Sequence, residues 1–343
     1  MSEKKILVTG ATGFIGAYLL HYLVGQGQKN IRAFKRKNSP MDLVIDLKDK
    51  VEWVEGDILD ITSLETAMQG VSKIYHCAAI VSFSPNNVDK MFSVNQKGTA
   101  NLVNLALDMP IKKLLHVSSI AAIGRRKNEP VINEKTKWQN DKANSPYGIS
   151  KHLSEMEVWR GIAEGLNAVI VNPANVLGSG FWKGRTTTGQ FFYKVWKGLP
   201  FYPVGSSGFV DVRDVVRFMV QLMESDITSE RFILNGENLS FKSILSNISK
   251  SLNTKAPYIK VTPFIRETAW RIAYGVSKIT GSSPFITKQT ARSSARSFIY
   301  ENDKSLSAFP FSYTPIQQTI QQTGEQFLEH VEKGFQPAIL PFQ

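Results

Sequence analysis

A single cysteine in 343 residues forbids an internal disulfide, so packing and hydrogen bonding must hold this fold without covalent staples. That cysteine, Cys77, sits in the apolar stretch IYHCAAIV and reads as a buried, inert thiol. Histidine is scarce as well: His21, His76, His116, His152 and His330 show no paired ligand spacing, so no metal site is expected. No apolar run reaches the roughly 18 residues that span a bilayer, and the polar start before KILVTGATGFIG lacks the layout of a secretory signal. The expectation is a cytoplasmic protein without a transmembrane segment. Internal repeats, low-complexity tracts and evident linkers are missing too. A hydrophobic share of 42% and a charged share of 20% exclude intrinsic disorder and leave ample material for a core.

Acidic residues are the scarcer charge. With 41 Lys and Arg against 29 Asp and Glu the formal charge is +12, and a surface of that sign attracts nucleic acid, anionic lipid or a phosphorylated ligand. The basic residues are scattered, with short clusters at Lys35–Arg36–Lys37, Lys112–Lys113 and Arg125–Arg126–Lys127, and no nucleic-acid-binding module accompanies them. A small-molecule substrate is the expected partner, nucleic acid is not, and self-association into a homodimer stays open.

What is present is a rhythm. The β-rich runs KILVTG, IRAFK, VEWVEG, KIYHCAA, KLLHVSS and NAVIVNP alternate with helical stretches through the first half. Such alternation builds an α/β fold, a doubly wound parallel sheet wrapped by helices, which binds ligands at the carboxyl ends of its strands. After Pro173 the rhythm breaks into a segment rich in Gly and aromatics, returns with DVVRFMVQLME and RFILNG, then becomes mostly helical. The expected division is a first domain over 1–172, to which 206–236 return, and a smaller, mostly helical substrate-binding lobe from 173–205 and 237–343.

TGATGFIG places Gly10, Gly13 and Gly16 between the first strand and the first helix. Glycines there permit a tight turn and a close approach of backbone to pyrophosphate, and the helix N-terminus adds amide donors and partial positive charge. The spacing GxxGxxG departs from the commoner GxGxxG. About twenty residues past the last glycine an NAD-specific site carries an acid for the ribose 2′-hydroxyl. Here that position is Arg36, flanked by Lys35 and Lys37, which could pair with the 2′-phosphate of NADP. The expected cofactor is NADP, with NAD as the alternative. Asp57, in GDILD, could accept from an adenine amino group, although a helix cap explains that region almost as well.

The pentapeptide YGISK, Tyr147 to Lys151, returns as YGVSK, Tyr274 to Lys278. A tyrosine four residues before a lysine shares a helix face with it, but Tyr193/Lys197 and Tyr300/Lys304 have the same spacing, so context decides. Tyr147 lies in the first turn of a helix with Ser145 as N-cap and Pro146 at its first position. The strand KLLHVSS ends upstream in Ser118 and Ser119, at the carboxyl edge where a nicotinamide would reach. Tyr274 instead lies in a late amphipathic helix whose Lys278 precedes a capping Gly281, an arrangement that the helix dipole explains.

TGATGFIG, HVSSIAAIG, NSPYGISK, NPANVLG and FVDVRDV follow one another in an order and spacing that resemble the extended short-chain dehydrogenase/reductase family, over essentially the whole chain. The resemblance implies a Rossmann-type fold and a catalytic group of Ser119, Tyr147 and Lys151. Tyr147 would exchange a proton with the substrate oxygen, Ser119 would hydrogen-bond it, and Lys151 would hold the nicotinamide ribose while lowering the tyrosine pKa. It further implies that the cofactor is lined by Gly10, Thr12, Gly13, Phe14, Ile15, Gly16, Arg36, Asp57, Ile58, Ala78, Ala79, Asn95, Ser118, Pro173, Asn175 and Val176. For Asn95 a backbone-organising role and a catalytic one stand equal.

Within that family, sugar dehydratases need an acidic pair directly after the catalytic hydroxyl, where this chain has Ile120 and Ala121. Nucleotide-sugar members commonly carry tyrosine where Ile123 and Leu177 stand. Eight aromatics crowd the segment from Phe181 to Tyr202; as a lid they would make an apolar pocket suited to a ring or aryl ketone, and otherwise they are core or a dimer contact. The candidate substrate residues are Ser84, Phe181, Trp182 and Phe192. The late stretch GSSPFITKQTARSSARSFIYENDKS resembles the dihydroflavonol-4-reductase-like branch. An NADP(H)-dependent oxidoreductase is the expectation; a nucleotide-sugar epimerase with tightly held NAD and a non-catalytic dinucleotide-binding regulator are the alternatives.

Overall fold

The computed structural model describes residues 5–124, 130–139, 144–182, 188–280 and 287–342, the side chains of residues 85, 274 and 277–280 excepted. The cluster Arg125–Arg126–Lys127, the side chains of Tyr274 and Lys278, and Gly281 therefore lie outside the described residues. At the centre is a seven-stranded sheet in the order Glu230–Leu234, Ala168–Pro173, Lys113–Val117, Val71–His76, Lys5–Thr9, Ile31–Lys35, Glu52–Glu55. Every pairing in it is parallel. A parallel sheet is covered on both faces, which is why Ala168–Pro173 and Lys113–Val117 are buried along their whole lengths. Lys113 is accommodated because its ammonium donates to the carbonyls of Leu222 and Ser225, each at 2.7 Å, at the end of the helix Val212–Glu224.

The helices Phe14–Gly25 and Val212–Glu224 cover one face through Leu19, Leu20, Val215 and Met219. Ile61–Met68, Gly98–Asp108 and Pro146–Ala163 cover the other through Leu64, Leu102, Val103 and Val158. From Lys5–Thr9 the chain runs outward through Ile31–Lys35 and Glu52–Glu55, then crosses back to lay Val71–His76 on the other side of the first strand. That reversal opens a crevice above the carboxyl ends of the two central strands.

A second lobe has its own core of Leu177, Trp182, Phe192, Phe209, Ile244, Ile248 and Phe327. It is built on a small sheet of Asn175–Leu177, Ser206–Asp211 and Glu237–Ser240, with the helices Gly189–Trp196, Phe241–Ser251 and Ile316–Glu332 around it. Within the segment 206–236, residues 206–211 pair in this small sheet, and the chain rejoins the main layer only from Val212.

Candidate active site

The crevice begins at Gly10, whose backbone is left-handed, with φ of 65°. A Cβ on Gly10 would lie 2.6 Å from the Ala78 nitrogen, and one on Gly16 would lie 2.3 Å from the Gly10 carbonyl oxygen. Both closures demand glycine, so the turn must be bare. The helix Phe14–Gly25 that follows has no side-chain cap at its N-terminus, which leaves amide donors for an anion. Thr12 is buried beneath the turn. Phe14 packs edge-on to Tyr18 with ring centres 5.5 Å apart, and Ile15 joins the same core. An uncapped helix behind a glycine turn at a sheet's reversal fits a pyrophosphate.

Arg36 is exposed at the end of Ile31–Lys35, where its amide donates to the Ser39 hydroxyl. Its neighbour Lys35 is tied to Glu55 at 2.6 Å, and Lys37, on the other side of Arg36, is exposed. Asp57 accepts from the Leu59 amide at 3.0 Å, while the cap of the following helix is Asp60. Ile58 is buried against Gly98. Ala78 and Ala79 follow Val71–His76 beside the glycine turn, and the Ala78 amide donates to the Thr9 hydroxyl.

Asn95 is buried in a π-helical turn, Ser93–Lys97. Its amide accepts from the Ile80 amide at 2.7 Å and donates to the Ile80 carbonyl and the Ser150 hydroxyl, each at 3.0 Å. It ties the Ile80 backbone to the helix Pro146–Ala163. Ser84 sits half-buried in the loop beyond, its amide donating to Ser82. Pro173 is buried at a strand end, Asn175 donates to the Ser207 hydroxyl and the Gly208 carbonyl, and the Val176 carbonyl accepts from Thr188.

The helix Pro146–Ala163 starts as its sequence dictates, with the Ser145 hydroxyl accepting from the Gly148 amide at 2.9 Å. It carries Tyr147 to the end of Lys113–Val117, beside Ser119, whose hydroxyl accepts from the Ala121 amide at 3.1 Å. Burial raises the Tyr147 pKa above its ordinary value, and the nearby Ser119 hydroxyl opposes that rise. Lys151 does not lower it here: its ammonium is turned to the Val117 carbonyl at 2.9 Å. Burial has pushed the Lys151 pKa down to about 8, against the opposing charge of Glu155. Cys77, expected to be buried, is half-buried, and desolvation pushes its thiol up to about 12.

Three functional contacts escaped the sequence reading. Glu155, fully buried one turn after Lys151, accepts from the Ser118 hydroxyl and the Asn172 amide, each at 2.5 Å, and stands 3.4 Å from Arg231. Asn172 also donates to the Ser119 carbonyl at 3.0 Å, bracing the strand end that carries the catalytic hydroxyl. Phe83 meets the Tyr147 ring edge-on at 5.9 Å, so it is an apolar wall of the site. The lid expected from the aromatic segment is corrected for two of its members. Trp182 and Phe192 are 1% and 0% exposed, and both rings pack on Phe327 inside the second lobe. Phe181 is buried as well, packed in the core beside the sheet.

The family model for the NAD dependent epimerase/dehydratase family matches residues 6–234. A Synechocystis sp. protein provisionally named a dihydroflavonol 4-reductase is 29% identical over 329 residues, 94% of each chain. Sterol demethylase protein B of Methylococcus capsulatus is 31% identical over 261 residues, 75% of this chain and 77% of that one. The crystal structure of gox2253 superimposes with a TM-score of 0.82 at 27% identity, over 96% of this chain and 99% of the other.

Proposed function

Because the chain belongs to the NAD-dependent epimerase/dehydratase family of extended short-chain dehydrogenases/reductases, we propose that it is an NADP(H)-dependent reductase interconverting a ketone or aldehyde and an alcohol on an apolar, ring-containing small molecule. The observation that supports this reading is that Tyr147 and Lys151 stand one turn apart on one helix, at the strand end followed by Ser119 and near the bare glycine turn. A bound dinucleotide supplies the hydride. Tyr147, kept protonated by its burial, gives its proton to the substrate oxygen in reduction and recovers one in oxidation. Ser119 would hold that oxygen, and Lys151, whose ammonium donates to the Val117 carbonyl, would hold the nicotinamide ribose of a bound dinucleotide. Gly10, Gly13 and Gly16 with the helix amides hold the pyrophosphate, and Arg36 takes the 2′-phosphate.

An apolar substrate is supported by Phe83 on the Tyr147 ring and by relatives named for a dihydroflavonol and a sterol. Dehydration lacks its acids, since Ile120 and Ala121 follow Ser119. The test is incubation of the purified protein with NADPH or NADH and a panel of ketones, aldehydes and nucleotide sugars. Net NADPH consumption with a bulky apolar carbonyl is expected. Interconversion of a nucleotide sugar without net consumption would make it an epimerase, and cofactor binding without any hydride transfer would make it a regulator.

A further inference from the structure

Between Lys255 and Tyr300 the chain has eight Lys and Arg against one acid, Glu267, a surplus of seven in a protein of net +12. Glu267 is shared among Arg271 at 3.2 Å, Arg266 at 3.7 Å and Arg292 at 4.0 Å, and it accepts from the Trp270 indole at 3.1 Å. Arg271 and Lys288 stand over the Trp270 ring at 4.6 and 5.5 Å. One carboxylate cannot neutralise three guanidiniums, so a net cationic cluster is assembled around an indole. The same helix, Pro263–Thr280, turns large apolar side chains to solvent. Phe264 is 78% and Ile272 67% exposed, and Tyr258, just upstream, is 75% exposed. At about 100° per residue, Arg271, Phe264 and Ile272 fall within about 100° of the helix circumference.

We propose that this face of the helix Pro263–Thr280 docks the protein on an anionic lipid surface, the cations meeting the headgroups while Phe264 and Ile272 enter the boundary with the acyl chains. Apolar residues bordered by cations and a tryptophan match that interface. The charge argues against a second copy as occupant, since two identical cationic faces repel. Scattered single cations with a protruding Phe and Ile also suit a fluid headgroup layer better than the fixed pockets of an acidic protein. The inference is independent of hydride transfer.

The test is co-sedimentation of the full chain with vesicles of phosphatidylcholine alone or containing about one quarter phosphatidylglycerol. Binding to the anionic vesicles only is expected, weakening as salt is added. The double variants Phe264→Ser/Ile272→Ser and Arg271→Glu/Lys288→Glu should each lower the partition coefficient by about tenfold or more. Lys48→Glu/Lys50→Glu makes the same change in net charge at exposed positions beside the sheet's edge strand, and should stay within about twofold of wild type. The replaced side chains are exposed, so all variants should melt like wild type. No binding to anionic vesicles, equal losses in all three charge and apolar variants, or a dimer abolished by Phe264→Ser/Ile272→Ser without vesicle binding would each overturn the proposal.

Discussion

Lys151 and Glu155 stand one turn apart on the buried side of the helix Pro146–Ala163, and both reach the end of the same strand: the Lys151 ammonium donates to the Val117 carbonyl, and Glu155 accepts from the adjacent Ser118 hydroxyl. The carboxylate thus offsets the burial that has pulled the lysine down to about 8. Its own surroundings are Arg231, Asn172 and Ser118, so a glutamine can keep its oxygen on Ser118 and Asn172 while losing the charge and the contact with Arg231. Glu155→Gln should lower the Lys151 pKa further, so that the lysine loses its proton at lower pH. The alkaline limb of kcat for reduction should move down by about one pH unit while the melting temperature changes little. A pH–rate profile with an unmoved limb would assign Glu155 to structure alone.

Tyr147→Phe removes the hydroxyl proposed as the proton donor and leaves the glycine turn intact. Turnover should fall by about a hundredfold or more, with NADPH affinity measured by fluorescence within a few-fold of wild type. Tyr274→Phe, in the second copy of the pentapeptide, should leave turnover within about twofold. Equal loss in both folded variants would refute the choice between the copies.

The parts of this site that were legible in the sequence are those written in one stretch of chain. A strand, a glycine turn and a helix are consecutive, and Tyr147 and Lys151 share a face because helical geometry puts residues four apart together. Glu155 belongs to that same face and could have been found by continuing one more turn; its burial could not, because Asn172 and Arg231 reach it from two other strands. The sheet was readable from the alternation of its apolar-rich strands with helices, whereas the segment 206–211 carries no sign in its own sequence of which sheet it joins. Aromatic density could not separate pocket from core, since ring burial is favourable in both. For Trp182 and Phe192 the deciding partner, Phe327, lies more than a hundred residues away.

His76 makes stability sensitive to acid. Its ring lies between the Thr9 and Thr99 hydroxyls at 2.8 and 3.0 Å, and burial pulls its pKa down to about 3. In the unfolded chain the value returns to about 6.5. Between those values the unfolded state binds a proton that the native state does not. Its contribution is therefore complete above about pH 6.5 and is lost progressively as the pH falls toward 3. At pH 5 the loss from this group is about 2 kcal/mol. His76→Gln should start less stable at pH 7 and decline less steeply in denaturant melts between pH 7 and 5.

On the proposed reading Arg36 selects the nucleotide, since Lys35 is held by Glu55. Arg36→Asp removes the partner of a 2′-phosphate and adds repulsion, so affinity for NADPH should fall by about tenfold or more while that for NADH holds or improves. Calorimetric titration of the wild type showing tighter NADH than NADPH would reverse this assignment.

The corrected place of the aromatics separates stability from substrate binding. Trp182 fills the core of the second lobe against Phe327 and donates its indole hydrogen to the Gln336 carbonyl at 3.0 Å. Truncation there leaves a cavity and an unpaired carbonyl. Trp182→Ala should therefore cost about 3–5 kcal/mol of stability, and any loss of turnover should follow the folded fraction, with KM unchanged in what remains folded. Phe83 instead meets the Tyr147 ring from the loop after Val71–His76. Phe83→Ala removes apolar wall beside the reacting oxygen without emptying a core, so KM for a bulky ketone should rise several-fold at nearly constant melting temperature. Chemical denaturation and steady-state kinetics on the two variants decide the matter. If Trp182→Ala raises KM at full stability while Phe83→Ala leaves KM alone, the apolar wall of the site is the aromatic segment after all.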